Sequence, residues 1–330
     1  MIPVSVIIPC YNEKVRIQSL LDAIHTQTYP LSEMEVVVAD GLSNDGTRAI
    51  ISDWNRTNRD LKINIVDNEK QTIPSALNRA IENASGEFII RLDAHSHPFP
   101  DYVARTVSAL EAGVADNVGG IWEISPGADT WIAKSIAIAA AHPLGVGDAL
   151  YRHAKKAAYV ETVPFGGFRR ELWERIGKFD ESLLTNEDYE FNARILRTGG
   201  RIWLDPEIRS VYYSRSTIGD LIKQYWRYGF WKYQMLRRYP GTIRWRQALP
   251  PLFVFSLIIG ILLSWIPFFS TFFILELLLY SITLLFVGIK YAFRSRVLLV
   301  FIGIPLSIAS MHISWGSGFL WSMVTGVRKS

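Results

Sequence analysis

The sequence predicts an α/β domain with a mostly parallel sheet and helices on both faces, followed by an all-α transmembrane region. Three observations carry this. Apolar runs of strand length alternate with helical apolar periodicity through residues 4–92. Of the 66 charged residues, 60 lie in 1–247. Apolar stretches of 22, 23 and 19 residues fill 248–269, 271–293 and 297–315, and about 20 helical residues cross a hydrocarbon core. The split in charge excludes a uniform soluble globule and a wholly embedded protein, and 49% apolar residues exclude disorder.

The elements follow in order. Val4–Pro9 is a continuous apolar run of buried-strand type, after which Ile17, Leu20, Leu21 and Ile24 recur at helical spacing. Glu35–Ala39 predicts a second strand ending in Asp40-Gly41, and Asn44 is placed to cap a helix through Asp53. Lys62–Val66 alternates as a third strand. Ile73–Ala84 carries Leu77, Ala80, Ile81 and Ala84 on one helical face, and Glu87–Leu92 is a fourth strand ending in Asp93. Short links between such elements imply a parallel sheet, whose ligands bind at the carboxyl ends of the strands. Tyr11, Asn12, Glu13, Asp40, Asp93 and His95 collect there. No Gly-x-Gly-x-x-Gly follows the first strand and no P-loop occurs. A diphosphate at this edge therefore needs another countercharge, most simply a metal.

The single Cys10 cannot form an internal disulfide, which fits a reducing compartment, and its apolar run marks it as a small core residue. The start lacks the basic region of a signal peptide.

Net charge +4 conceals a dipole: −7 over 1–214, +7 over 215–246 and +4 over 248–330. The basic band interleaves Tyr225, Trp226, Tyr228, Phe230, Trp231 and Tyr233 at helical spacing, as in an interfacial amphipathic helix; a nucleic-acid patch is the rival reading. Predicted domains are 1–214, an α/β catalytic domain; 215–247, the basic interfacial helix; and 248–330, the membrane region. Pro250 and Pro251 are expected in the first turn of the first span. Lys290, Arg294 and Arg296 between the second and third spans place that link, and with it the N-terminal part, on the cytoplasmic side. Gly316 and Gly318 break the last apolar pattern, and a re-entrant or interfacial final segment would reconcile the terminal Arg328-Lys329 with three spans. Glu276 is the one acid inside the spans, too little polarity for a transporter.

Asp93-Ala94-His95 sets two ligands at i and i+2, able to face one side and hold a divalent ion completed by substrate phosphates; the alternative is a solvated turn. Glu187-Asp188-Tyr189-Glu190 opens a helix ending at Gly199-Gly200. One of its carboxylates can act as a general base, ionised at neutral pH from a free Asp pKa of about 3.9, or the acids only cap the helix. Gln224, Arg227 and Tyr228 share a helix face, where Arg can bind phosphate or a lipid headgroup. Pro164–Arg170 is a glycine turn that lets backbone approach a ligand, or a tight turn and no more.

Over about residues 3–240 the chain resembles family 2 glycosyltransferases of the GT-A fold, which is Rossmann-like. The likeness lies in Val-Ser-Val-Ile-Ile-Pro-Cys-Tyr-Asn-Glu (4–13), Val-Val-Val-Ala-Asp-Gly-Leu-Ser-Asn-Asp-Gly-Thr (36–47) and Ala-Leu-Asn-Arg-Ala (76–80). It continues through Ala-Ser-Gly-Glu-Phe-Ile-Ile-Arg-Leu-Asp-Ala-His (84–95), Gly-Gly-Phe-Arg-Arg (166–170), Asn-Glu-Asp (186–188) and Gln-x-x-Arg-Tyr (224–228). With a membrane tail, the chain is most similar to the succinoglycan-biosynthesis branch, bacterial transferases that extend lipid-linked sugars.

The resemblance implies site roles. Pro9, Tyr11 and Glu13 border the nucleotide, Asp40 bonds a uracil-type edge, and Asn78 belongs to the same nucleotide-sugar site. Asp93 meets the ribose or the metal-bound diphosphate, and His95 takes the second metal position, where the family usually has Asp. Asp188 is the base. Gly167, Glu187 and Tyr228 lie near the acceptor, Tyr228 standing where many relatives have Trp. Gln224 and Arg227 reach the diphosphate. The implied activity is inverting transfer of a hexose from a nucleotide diphosphate sugar, UDP-type, to a lipid-linked saccharide, with Mn²⁺ or Mg²⁺. Its setting is the cytoplasmic face of a bacterial-type inner membrane. Rival readings are a polyprenyl-phosphate hexose synthase and a non-catalytic nucleotide-sugar-binding scaffold. The proposed transferase requires Glu13, Asp40, Asp93 and Asp188 to converge on one pocket opening toward the bilayer, whereas a lipid-phosphate acceptor, already ionised, needs no base.

Overall fold

The structure, a computed structural model, describes residues 3–147, 149–295 and 297–326. In chain order its elements begin β1 (Val4–Cys10), α1 (Ile17–His25), β2 (Met34–Asp40), α2 (Thr47–Thr57), β3 (Lys62–Asp67), α3 (Ile73–Glu82) and β4 (Phe88–Arg91). There follow β5 (Ser96–Pro98), α4 (Tyr102–Glu111), β6 (Asn117–Ser125), α5 (Trp131–Ala141), α6 (Pro143–Val146), β7 (Ala158–Tyr159) and β8 (Gly167–Arg169). The chain continues with α7 (Arg170–Ile176), α8 (Glu187–Arg197), β9 (Ile202–Tyr213), α9 (Ile218–Arg238), α10 (Trp245–Leu262), α11 (Pro267–Ser295) and α12 (Val300–Thr325). Two compact units form: Met1–Glu123 with Leu150–Tyr212, and Ile124–Ala149 with Tyr213–Ser330.

In the first unit the strands run in the order β3-β2-β1-β4-β8-β6-β9-β5, with β7 on β9. β1 pairs parallel with β2 and β4, and β2 with β3. These strands are apolar on both faces, as a two-sided sheet requires: Val4, Val6 and Ile8 enter one core beside Leu20, Leu21 and Ile24, while Ile7 enters the other with Leu77, Ala80 and Ile81. From β8 onward the sheet turns antiparallel, β8 lying against both β4 and β6. The expected four-strand parallel order is thus one half of a mixed sheet.

One polar group inside the parallel half is fully partnered. Glu35, 1% exposed, accepts from Ser5 Oγ at 2.8 Å, Ser85 Oγ at 2.7 Å and Lys62 Nζ at 2.7 Å. Burial raises its pKa, but the bonds from Lys62, Ser85 and Ser5 outweigh that and hold it at about 2. Helix α2 starts at Thr47 rather than at an Asn44 cap: Asp45 Oδ1 accepts from Thr47 N at 3.0 Å, and Asn44 N donates to Asn12 Oδ1.

The second unit joins the α5–α6 excursion to α9–α12. Ile136 and Ala139 of α5, Leu221 and Tyr225 of α9, Leu284 and Val287 of α11, and Ile304, Ile308 and Met311 of α12 form its core. Three helices, α10, α11 and α12, are long and apolar enough to cross a membrane. Their bounds shift from the predicted stretches. The first starts at Trp245, where Gln247 Oε1 accepts from Arg244 N at 3.1 Å, so Pro250 and Pro251 fall inside the helix and not in its first turn. The next begins at Pro267, and Lys290 and Arg294 lie near its end.

α12 runs unbroken through Gly316 and Gly318. These glycines serve close packing: a Cβ at Gly316 would overlap the Pro250 carbonyl, and one at Gly318 the Trp226 carbonyl. Gly229 of α9 likewise sits on the Trp315 carbonyl. The basic segment folds as the helix α9, which buries Leu221, Tyr225, Lys232 and Met235 on one face. Arg296, Arg328 and Lys329 lie outside the described residues.

Candidate active site

Every non-glycine residue with positive φ among the described residues, Asn12, Leu42, Gln71, Phe165 and Asn186, lies on a loop at the carboxyl end of the parallel strands or feeding it. Such backbone costs roughly 1–3 kcal/mol and persists where surrounding contacts fix it. At Asn12 those contacts are its N–H on Ser43 Oγ at 2.8 Å and its Oδ1 under Asn44 N at 3.1 Å. Asn186, in the left-handed conformation, is the N-cap of α8 directly before Glu187 and Asp188.

The centre of this edge is Arg91, the last residue of β4. Its Nε donates to Asp93 Oδ1 at 3.0 Å and its Nη2 to Glu187 Oε1 at 2.8 Å; the side chains of Arg91 and Glu187 are each 8% exposed. Desolvation favours the neutral guanidine, yet Asp93, Glu187 and Asp188 together hold Arg91 charged, its pKa raised. One cation thus serves three carboxylates. Asp188 bears the consequence. Burial first, then the charges of Glu187 and Asp93, push its pKa up to about 7, against Arg91 and the Tyr189 N–H at 2.8 Å from its Oδ1. The sequence alone implied full ionisation at neutral pH; burial and the neighbouring carboxylates shift Asp188 toward its protonated form.

Glu13 meets His95, Oε1 to Nδ1 at 3.1 Å, and Thr47 Oγ1 accepts from Glu13 N at 2.9 Å. The other predicted positions differ in what they can reach. Tyr11 is 47% exposed and its ring lies against Gly41, where a Cβ would come within 2.9 Å of Cδ2. Pro9 is buried in β1 opposite Ala39. Asp40 is wholly buried; its carboxylate takes Ser43 N at 2.9 Å, Ser43 Oγ at 2.6 Å and Arg48 Nε at 2.6 Å. The Cys10 thiol beside it is pushed up by burial and by Asp40 and Glu13, which agrees with an inert core residue. Asn12 N donates to Ser43 Oγ, which donates to Asp40; Glu13, next to Asn12 in sequence, meets His95, two residues beyond the Asp93 that Arg91 ties to Glu187.

Two further predicted positions are buried. Asn78, 2% exposed, donates to Phe179 O and Glu181 Oε1, both at 3.0 Å, and accepts from Phe179 N at 2.9 Å, so its amide is spent on a loop. Gly167 lies in the buried strand β8 opposite Ile90, where a Cβ would overlap Thr106. On α9 of the second unit, Gln224 Nε2 donates to Tyr228 Oη at 2.9 Å, which bears out their shared face, and Arg227 is exposed.

Among the described residues no three His, Cys, Asp or Glu side chains gather as a metal site. Asp93 and His95 share a tight turn closed by Ser96 N on Asp93 O at 2.8 Å. A carboxylate with an imidazole suits Mn²⁺ or Mg²⁺ when phosphate and water oxygens supply the remaining ligands.

Sequence reasoning missed Arg91 and the rings packed beside it: Phe165 under its guanidinium at 5.9 Å, and Trp122 at 5.2 Å from Phe165. An arginine closing an apolar strand was the available signal, since a buried guanidinium demands carboxylates.

Comparison with known proteins accords with this geometry. The chain is 30% identical over 328 residues to the succinoglycan biosynthesis protein ExoA of Rhizobium meliloti, covering 98% of this chain and 96% of that one. It is 29% identical over 330 residues, 98% of each chain, to a dolichyl N-acetyl-alpha-D-glucosaminyl phosphate 3-beta-D-2,3-diacetamido-2,3-dideoxy-beta-D-glucuronosyltransferase of Methanococcus voltae. The mannosyltransferase PcManGT of Pyrobaculum calidifontis, solved with GDP-Man and Mn²⁺, shares the fold at TM-score 0.63 and 23% identity, over 97% of this chain and 87% of that one. The family model for glycosyl transferase family 2 matches residues 5–177. A GT-A-type mixed sheet, the acidic edge around Arg91 and these matches lead to one conclusion: the chain belongs to glycosyl transferase family 2.

Proposed function

We propose that this glycosyltransferase moves a hexose from a nucleotide diphosphate sugar, UDP-type, to a lipid-linked saccharide at the cytoplasmic membrane face, with inversion. The observation that carries the reading is the setting of Asp188: a half-buried carboxylate directly after Glu187, which Arg91 ties to Asp93 at the end of β4, with burial raising its pKa. A base tuned near the working pH takes a hydroxyl proton most effectively. The lipid-linked acceptor is supported by the dolichyl-linked substrate in the name of the Methanococcus voltae relative and by three helices of membrane-crossing length. Lys290 and Arg294 near the end of α11 favour the cytoplasmic side.

In this reading Tyr11, Pro9 and Asp40 border the base, with the exposed Tyr11 ring as the stacking surface. Asp93 and His95 would hold a divalent ion, whose charge would stabilise the departing diphosphate. The family likeness gives Gln224 and Arg227 the diphosphate and Tyr228 the acceptor. Glu187 fixes Arg91, and Asn78 and Gly167 support the loops. Asp188 takes the acceptor proton as the hydroxyl attacks the anomeric carbon opposite the leaving group.

A panel of nucleotide sugars offered to the purified chain with membrane extract tests this, reading released nucleoside diphosphate and the anomeric configuration of the product. Release that depends on the extract, with inverted product, is expected. No release from any donor, or retained configuration, overturns the assignment.

A further inference from the structure

The long helices of the second unit pair in a register that separates one of them from the other two. α10 and α11 form an antiparallel hairpin. Ser256 Oγ donates to Glu276 Oε1 at 2.5 Å, the Phe253 and Tyr280 rings stand 4.5 Å apart, and a Cβ at Gly260 would overlap the Phe273 ring. α12 then starts back along the end of α11. Gly288 lies on the Phe301 carbonyl, and Tyr280 Oη is 3.0 Å from His312 Nδ1. The stretch of α11 between those two contacts is only about 12 Å of helix. Continued straight, the pairing would carry Gly316 to the level of Glu276. Instead Gly316 lies on the Pro250 carbonyl and Val254, nearer the start of α10 than Ser256, the partner of Glu276. From there α12 runs beside α9 in the same direction. Gly318 sits on the Trp226 carbonyl, Gln234 Nε2 donates to Ser322 Oγ at 2.6 Å, and a Cβ at Gly326 would stand 3.9 Å from Arg237 Nη1.

We infer that α12 does not cross the bilayer: it lies with α9 in the phospholipid headgroup zone, and the chain crosses twice, by α10 and α11. Residue 326 is then on the same side as α9. The inference rests on the membrane setting proposed above and not on the transfer chemistry. Length does not stop α12, since its 26 residues exceed the roughly 20 that a crossing needs. Its neighbours do. A crossing α12 would draw α9 into the hydrocarbon beside it, and α9 carries Asp220, Lys223, Arg227 and Arg237 exposed. Exposed charges of this kind are costly at that depth. Protein covers 44% of the most apolar stretch of α12, against 22% in α10 and 17% in α11, so α10 and α11 are the helices that present their sides outward. Exposed Trp226, Trp321 and Val324 stand among the charges of the α9–α12 layer, the mixture of aromatic, apolar and basic groups that suits a headgroup boundary.

The test adds single cysteines to the full chain, whose native Cys10 is buried, with the wild type as the blank. Lys223→Cys reports α9, Thr325→Cys the end of α12, and Ser264→Cys the turn between α10 and α11. A membrane-impermeant maleimide is applied to spheroplasts and to inverted vesicles of an expressing bacterium. Lys223→Cys and Thr325→Cys should react from one side, and Ser264→Cys from the other. Reaction of Thr325→Cys from the side of Ser264→Cys overturns the inference. A second measurement needs no sidedness. Spin labels on Trp321→Cys, Lys223→Cys and Leu275→Cys in phosphatidylethanolamine–phosphatidylglycerol vesicles are compared for collision with oxygen and with an aqueous nickel chelate. Trp321→Cys should match Lys223→Cys, with the chelate favoured at least severalfold over its effect at Leu275→Cys. A label at Trp321→Cys as sheltered from the chelate as that at Leu275→Cys overturns the inference. Which side of the cell carries the α9–α12 pair tests the cytoplasmic setting, and nucleotide release with the donor panel tests the transferase reading, so each can fail separately.

Discussion

Arg91 Nη2 donates to Glu187 Oε1 at 2.8 Å across 96 residues of chain, joining the end of β4 to the start of α8. The same guanidinium holds Asp93, so one buried cation ties the side of the edge assigned to the donor to the residue beside the proposed base.

Replacing Arg91 with Met leaves Asp93 and Glu187 facing each other in a desolvated site. Breaking such a buried pair costs about 3–5 kcal/mol, and denaturant unfolding in detergent should show a loss of that order. A change below about 1 kcal/mol would mean the acids find water or protons instead.

Asp188 is raised by burial, then by Glu187 and Asp93. Its basic form is the deprotonated one, so the turnover rate at saturating donor should climb with pH and level off above about 7. A rate that stays flat between about pH 5.5 and 8 would remove Asp188 from proton transfer.

The parallel half of the sheet was legible because β1, β2 and β4 are unbroken apolar runs with short links. The antiparallel half was not. β5, β7 and β8 have three, two and three residues, too short for any period to register. β9 is interrupted by Asp205-Pro206, and β6 by Gly119-Gly120. The acids of the site could be read because they follow strands; that they share Arg91 could not, since the partners lie far apart in sequence. Glycine in α12 looked like a break, because only the packed neighbour reveals why a missing Cβ is needed there.

That packing can be tested at Gly229, whose added Cβ would overlap the Trp315 carbonyl, against Gly219, whose nearest atom is Thr217 Oγ1 at 4.0 Å. Gly229→Ala should cost about 1–3 kcal/mol by overpacking, whereas Gly219→Ala should be neutral or slightly stabilising through helix propensity. Equal melting temperatures for the two variants would contradict the close helix contact.

For the metal, Asp93→Ala should abolish the dependence of donor binding on Mn²⁺, and His95→Ala should weaken it. Donor titrations with and without Mn²⁺ measure this directly. A variant that keeps the full Mn²⁺ effect would place the ion on other ligands.

The central claim is that Asp188 is the base. Single-turnover transfer by Asp188→Asn, measured beside its nucleotide affinity, tests it most directly. The account predicts loss of transfer by about a thousandfold or more with nucleotide affinity near wild type. Transfer at the wild-type rate would contradict it and would point to an acceptor, such as a lipid phosphate, that needs no base.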